Sequence, residues 1–161
     1  MNRKKWLGVL CAVIVVAALV IGFLHKGGQE ETAGIVLIQG DSRIEISLED
    51  LQQESFSGET VNGKGEHFEH EYEGVALYDL LEDNGIDPAG VTEVEVRAAD
   101  QYAATVTGEE DCEKDRIYLA VTEDSAPVEG IEEGTPGAEM VVFGDSDSKR
   151  CVRCVVEVEA R

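Results

Sequence analysis

Residues Trp6 to Leu24 form an unbroken run of 19 residues without a charge. As a helix rising about 1.5 Å per residue it reaches roughly 28 Å, close to the hydrocarbon thickness of a bilayer. Arg3, Lys4 and Lys5 precede it, and Lys26 follows beside His25. The excess of positive charge on the N-terminal side orients that end to the cytoplasm and residues 27–161 to the other side. A cleaved signal peptide is the rival reading, but its apolar core spans about 7–15 residues and ends at a small-x-small site. Ile21-Gly22-Phe23-Leu24-His25 offers no such site. The expectation is a single-pass anchor in the cell membrane: residues 1–26 as cytoplasmic tip and transmembrane segment, 27–33 as a linker, and 34–161 as an extracytoplasmic domain.

Charge sharpens that division. The chain holds 34 Asp and Glu against 13 Lys and Arg, a net charge of −21. Four of the bases and none of the acids fall within residues 1–26, so the rest of the chain carries −25. A field of that sign repels phosphate, which excludes nucleic acid as a partner and disfavours docking of the domain itself onto anionic lipid. With 43% apolar residues the domain is nonetheless expected to pack a core.

Beyond the apolar run lie three cysteines, Cys112, Cys151 and Cys154, too few for a disulfide framework. Cys151-Val-Arg-Cys154 has the spacing of a redox pair or half a zinc site, but no second such pair completes four ligands. Val152, Cys154, Val156 and Val158 alternate with Arg153, Val155, Glu157 and Glu159, the period of a half-buried strand. On a strand, positions three apart face opposite ways with Cα atoms about 10 Å apart, too far to bridge. That reading gives a buried thiol at Cys154 and an unrelated Cys151. A bridge from Cys112 to either stays open.

The same periodicities organise the domain. Gly34–Gln39 and Ser42–Ile46 flank Gly40-Asp41 as a hairpin, and Ser47 caps a short helix with Asp50 in the capping-box position. Weak strands follow around Glu59–Asn62 and Glu66–Tyr72, turned by Gly63-Lys64-Gly65. Val75–Leu81 sets Leu77, Leu80 and Leu81 on one helical face, closed by Asn84-Gly85. Further strand patterns cover Glu93–Ala98, Tyr102–Thr107, Arg116–Val121, Ala138–Phe143 and Arg150–Glu159. Acidic Glu109–Asp115 and Glu123–Glu133 read as solvated loops able to attract a cationic partner. Asp145–Lys149 reads as a polar turn, with a weak oxygen-ligand calcium loop as the alternative. The predicted class is α+β, a mainly antiparallel sheet with two short helices.

In this order and spacing, Ser47–Leu51, Tyr72-Glu-Gly-Val-Ala-Leu-Tyr-Asp-Leu-Leu81, Ala99–Tyr102, Tyr118–Ala120, Gly134–Gly137, Met140–Val142 and Lys149–Arg153 resemble the molybdopterin-binding domain of the sulfite oxidase family. The resemblance spans nearly all of residues 34–161, most strongly at 72–81, and implies that family's fold. In the family a cysteine thiolate shortly before the aromatic-x-Gly-Val block ligates molybdenum, and basic groups surround the anionic pterin. Here Thr60–Tyr72 contains no cysteine, Asp100-Gln101-Tyr102 replaces Asp-Gly-Tyr, and the arginine expected within Gly134–Glu139 is missing. A protein thiolate and basic groups are what that cofactor requires. The expectation is therefore a non-catalytic binding or accessory module with no cofactor, taking an unknown protein or small-molecule partner. A molybdopterin-dependent oxidoreductase or electron-transfer component is the alternative.

Glu66-His67-Phe68-Glu69-His70-Glu71 gathers donors suited to zinc, with His67 and His70 as candidate ligands. On a helix the two imidazoles would share a face. On the strand predicted here they diverge, which favours a solvated edge strand with Phe68 packed inward. No nucleophile–base–orienter set and no phosphate-binding glycine loop can be assembled.

Overall fold

Alternation in the sequence becomes ten strands in the computed structural model, which describes residues 33–51, 53–111 and 116–161. The Trp6–Leu24 run and Cys112 lie outside the described residues, and among the described residues no helix is long and apolar enough to cross a membrane. Ala33–Arg161 forms one unit with its own core.

The first sheet runs, in spatial order, β2 (Ser42–Ser47), β1 (Gly34–Gln39), β10 (Val155–Ala160), β5 (Glu93–Ala98) and β6 (Ala103–Thr107). Strands β1 (Gly34–Gln39) and β2 (Ser42–Ser47) pair antiparallel around Gly40, whose φ of +56° suits the tight turn. Ser47 then accepts a hydrogen bond from the Glu49 N–H at 3.3 Å and starts a single 3-10 turn, Leu48–Asp50, rather than an α-helix. The C-terminal strand β10 (Val155–Ala160) runs through the middle of this sheet, parallel to β1 and antiparallel to β5 (Glu93–Ala98). Strand β6 (Ala103–Thr107) closes the far edge.

In the second sheet β3 (Glu54–Val61) pairs with β4 (His67–Ala76), and β4 with β7 (Ile117–Glu123). The short strands β8 (Ala126–Pro127) and β9 (Glu139–Val142) share the other edge of β7. The first two strands are far longer than the sequence pattern suggested, because their polar residues cross-pair instead of alternating with apolar ones. Asn62 closes their hairpin: its Oδ1 accepts from the N–H of Lys64 (2.8 Å) and Glu66 (3.0 Å). β4 lies between β3 and β7 only over Tyr72–Ala76; His67–Glu71 has β3 as its one strand partner among the described residues, so the solvated edge strand expected for that stretch is found there.

Val75 and Ala76 continue β4 instead of opening the helix, and α1 spans Leu77–Asp83. Leu77, Leu80 and Leu81 are buried as their spacing implies. The helix ends in a Schellman motif, with Ile86 N–H on the Leu81 carbonyl (2.9 Å), Gly85 N–H on Glu82 (3.0 Å) and Gly85 at φ +80°. A second helical turn, α2 (Gly108–Asp111), sits where the sequence read as a solvated loop. It forms because Thr107 and Glu110 cap each other: the Thr107 N–H donates to Glu110 (3.1 Å), and the Glu110 N–H to Thr107 Oγ1 (3.2 Å).

The main core joins both sheets and α1 through Ile35, Leu37, Val94, Val96, Leu119, Met140 and Val158. Strand β7 is buried on both faces. Ile117, Leu119 and Val121 enter this core, while Tyr118 and Ala120 face a second, aromatic cluster of Tyr72, Val141, Phe56 and Phe143. In that cluster Phe56 stacks on Tyr118 at 3.9 Å between ring centroids. The outer face of the second sheet, rather than the junction of the two sheets, is where the chain builds its cavity.

The predicted strand Arg150–Glu159 is corrected by the structure. Only Val155–Ala160 is strand, and residues 150–154 cross from one sheet to the other. Val152 makes a β-bridge to Met140 of β9, Cys154 takes φ +51°, and Val155 then enters the first sheet. A register shift follows between Val155 and Glu157. The two-residue alternation inferred through Cys154 therefore breaks at that residue, and the buried positions are Val152, Val155, Val158 and Ala160.

Candidate functional site

Strand pairing decides what faces outward from the second sheet. Directly paired residues of antiparallel strands share a face. Tyr72 is opposite Glu123, Glu139 opposite Ala120, Val141 opposite Tyr118, and Thr60 opposite Phe68. Of these, Thr60, Tyr72, Glu123, Glu139 and Val141, with His70 two residues before Tyr72, form the floor of a cavity of about 520 Å³, and Phe68 stands at its rim. Ser148 of the Asp145–Lys149 turn, with Cys151 and Arg153 of the crossing segment, supplies its wall, and Val61 and Asn62 close the rim.

That wall is held by ions. Arg150 donates through Nε to Asp145 Oδ2 (2.7 Å) and through Nη1 to Glu110 Oε1 (2.9 Å), and Arg116 reaches both acids at 3.4 and 3.7 Å. The pairing with Asp145 and Glu110 holds the Arg150 guanidinium well above its ordinary pKa, and the Thr107 backbone N–H, then Arg150, keep Glu110 below its own. Asp145–Lys149 is thus a turn tied down by its own carboxylates: Asp147 accepts from the Lys149 N–H at 2.9 Å, and Tyr102 donates to the Lys149 carbonyl.

Inside the cavity, burial dominates the electrostatics. Glu139 has a side chain only 15% exposed, and burial raises its carboxyl despite the opposing charge of Arg153 at 3.4 Å. Tyr72 is pushed up to about 12 by burial and by Glu123, against a hydrogen bond with Thr60. Burial also raises the Cys151 thiol; a hydrogen bond with the Val142 backbone lowers it, and the Glu139 and Asp145 charges add to the rise. Cys151 is therefore a protonated thiol in an acid-lined cavity. Cys154, predicted to be the buried one, turns the other way and directs its thiol to the carbonyls of Glu129 and Gly130 at 3.6 and 3.4 Å. Both thiols are free.

The two candidate metal ligands part company, as a strand requires. His70 enters the cavity floor and pairs through Nδ1 with Asp124 Oδ2 at 2.8 Å and Glu123 at 3.5 Å. His67 faces away and pairs with Glu59 at 2.8 Å. Among the described residues no three of His, Cys, Asp and Glu are grouped to hold a metal ion. The His70 contact depends on an unusual turn, since Asp124 and Ser125 both take left-handed backbone (φ +48° and +67°) between β7 and β8. Asp124 offsets that cost by accepting from the Glu71 N–H at 3.1 Å and donating its own N–H to the Glu71 carbonyl at 2.7 Å. Bonds from His70 and the Glu71 N–H keep its carboxyl below the ordinary range. Phe68, expected to pack inward, is 42% exposed on the rim.

Glu123, Glu139, Cys151 and Arg153 were missed as site residues. The signal for Glu139 was present: it is the acid of a Glu-Met-Val-Val strand whose alternate residues are core. Cys151 carried none, because its approach to Thr60–Tyr72 depends on the sheet-to-sheet crossing.

No protein-family model matches the chain, and no curated protein does. Among solved structures it is similar to the sulfane dehydrogenase SoxCD from Paracoccus pantotrophus, with a TM-score of 0.63 at 16% identity. The likeness covers 80% of this chain and 38% of that one, so the chain spans well under half of its neighbour. At that identity the likeness is one of fold: the chain carries a distant version of a fold found in that neighbour, α+β and mainly antiparallel.

Proposed function

We propose that residues 34–161 act as a non-catalytic binding or accessory module, held on the extracytoplasmic side of the cell membrane by Trp6–Leu24, and that its ligand, a small molecule or a segment of a protein partner, occupies the cavity over the second sheet. The observation that carries this reading is the cavity's donor set. A molybdenum-bearing pterin asks for a protein thiolate and for cations around an anionic group. The lining offers Cys151 as a raised, protonated thiol and two carboxylates, Glu123 and Glu139, against Arg153 as the one permanent cation among the described lining residues. The residues present do not fit that group.

A second reading, a molybdopterin-dependent oxidoreductase or electron-transfer component, draws on one observation. Cys151 does reach the cavity, although the stretch before Tyr72 lacks a cysteine. The full chain, produced in a host that makes the cofactor and purified in mild detergent, separates the two. Substoichiometric molybdenum and no pterin fluorescence are expected. One molybdenum per chain, lost on Cys151→Ser, would establish the second reading instead.

A further inference from the structure

Glu139 lies in the cavity floor with its side chain 15% exposed, and a carboxylate that buried needs a counter-charge. The charge it has is a poor one. Arg153 meets it through Nε alone at 3.4 Å, leaving the paired Nη groups of its fork unused, and the arginine side chain is 78% exposed. Arginine in a built ion pair engages carboxylate through two parallel bonds near 2.8 Å; here it leans over the cavity mouth from water. Glu123, a second acid of the lining, has His70 at 3.5 Å and shares the charge of Arg153 with Glu139. The ring of Tyr72 and the side chain of Val141 line the same cavity, with Phe68 at the rim, an apolar and aromatic bed that suits a cation with a short hydrocarbon arm. Around all of this the domain carries −23, which concentrates cations at its surface and repels anions.

We propose that the cavity takes a small organic cation, an ammonium or amidinium group on a short apolar or aromatic arm, with Glu139 as its counter-ion and Arg153 as the chain's own stand-in for it. The ligand displaces the Arg153 side chain into solvent, where most of it already is. This rests on the cavity being a ligand site, and it sets the sign of the ligand's charge. It also sets two substitutions in opposition. Removing Glu139 removes the counter-ion, whereas removing Arg153 removes a competitor.

The experiment is calorimetric titration of the full chain in nanodiscs, blanked against empty discs, with three probes of one skeleton: phenethylammonium, 2-phenylethanol and phenylacetate. Saturable binding of phenethylammonium is expected, with 2-phenylethanol about ten-fold weaker or more and phenylacetate not bound. Glu139→Gln should weaken phenethylammonium by about ten-fold or more, and Arg153→Ala should tighten it about two- to five-fold. Melting curves of both variants check that each is folded. Binding of phenylacetate that is lost in Arg153→Ala would overturn the cation and leave the cavity a ligand site. Weaker phenethylammonium binding in Arg153→Ala, no change in Glu139→Gln, or no saturable binding by any probe would also overturn it. The molybdenum and pterin measurement then stands as the separate test of the broader reading.

Discussion

Replacing Gly74 with alanine tests why the most recognisable block of this chain, Tyr72–Leu81, carries a glycine at its third position. Gly74 lies at the register shift between β4 and β7, opposite Ala120. A Cβ built on it would come within 2.0 Å of the Leu119 carbonyl oxygen and 2.8 Å of the Ala120 Cα. Both are backbone atoms of a strand buried on two faces, so neither can rotate away. Carbon–oxygen contacts between strands normally sit at about 3.3 Å or beyond, so β4 and β7 must part locally by about 1 Å. Losing two ladder hydrogen bonds at about 1 kcal/mol each, with an overpacking cost of about 1–3 kcal/mol, gives a total of about 3–5 kcal/mol. Two further glycines calibrate the result. Gly40 has φ +56° but nothing within 4 Å of its Cβ position, so alanine there costs only the left-handed backbone, about 1–2 kcal/mol. Gly63 has neither constraint, and alanine there should fall within about 0.5 kcal/mol of wild type. Urea unfolding followed by far-ultraviolet circular dichroism reads all three, with a common m value as the control. Gly74→Ala within about 1 kcal/mol of wild type, or milder than Gly40→Ala, would refute the close-approach argument.

Three shorter predictions concern the cavity and its wall. Because burial raises the Glu139 carboxyl, the folded state keeps its proton where the unfolded chain has released it. Stability from this group therefore falls as pH rises from the ordinary glutamate range through the raised folded value. Glu139→Gln should melt above wild type at about pH 7 and lose less stability across that window; parallel profiles would sink the assignment. Arg150→Ala removes the partner of Asp145 and Glu110 in a part-buried network, which, discounted for solvent, costs about 1–3 kcal/mol by urea unfolding. Iodoacetamide labelling read by peptide mass spectrometry should find Cys151 slower than free glutathione near neutral pH. Its rate should keep climbing beyond the pH where an ordinary thiol levels off, since its thiol is pushed up; levelling with glutathione would contradict that.

What the sequence disclosed follows from which forces are local. Leu77, Leu80 and Leu81 with Asn84-Gly85 specify a helix and its end within ten residues, and Val94/Val96/Ala98 specify one face of a strand. Both readings survive because periodicity and capping need no distant partner. Strands β3 and β4 were under-read because Glu54–Val61 and His67–Ala76 are stabilised chiefly by each other and by β7, and their exposed faces show no hydrophobic period. The crossing at Arg150–Cys154 was misread for the opposite reason. Alternation was present by chance across a residue, Cys154, whose left-handed backbone resets the phase. The error carried into the site, since it put the buried thiol at Cys154 and kept Cys151 away from the stretch before Tyr72. His70 was found because a histidine is conspicuous; Glu139 was overlooked because one acid among 34 is not.

The second sheet also explains how one fold can keep its shape while the chemistry over it changes. Each strand under the cavity divides its residues between two faces. Leu119, Val121, Met140 and Val142 enter the main core; Glu139 and Val141 alternate with Met140 and Val142 toward the cavity, and the register shift in β7 turns Glu123 the same way. Substitution on the outer face leaves the inner packing untouched, so the core holds the architecture while the floor drifts. The wall is independent in the same way: Arg150, Asp145, Glu110 and Arg116 fix where the crossing segment runs, whatever Cys151 and Arg153 present from it. A carboxylate at Glu139 is tolerated because the cavity mouth lets a counter-charge reach it. The cost of burying that carboxylate, only partly met by an arginine that stays mostly in water, favours a ligand of positive charge. The acidity of the domain and the carboxylate in its floor act in one direction, the first by gathering cations at the surface and the second by selecting one at the centre.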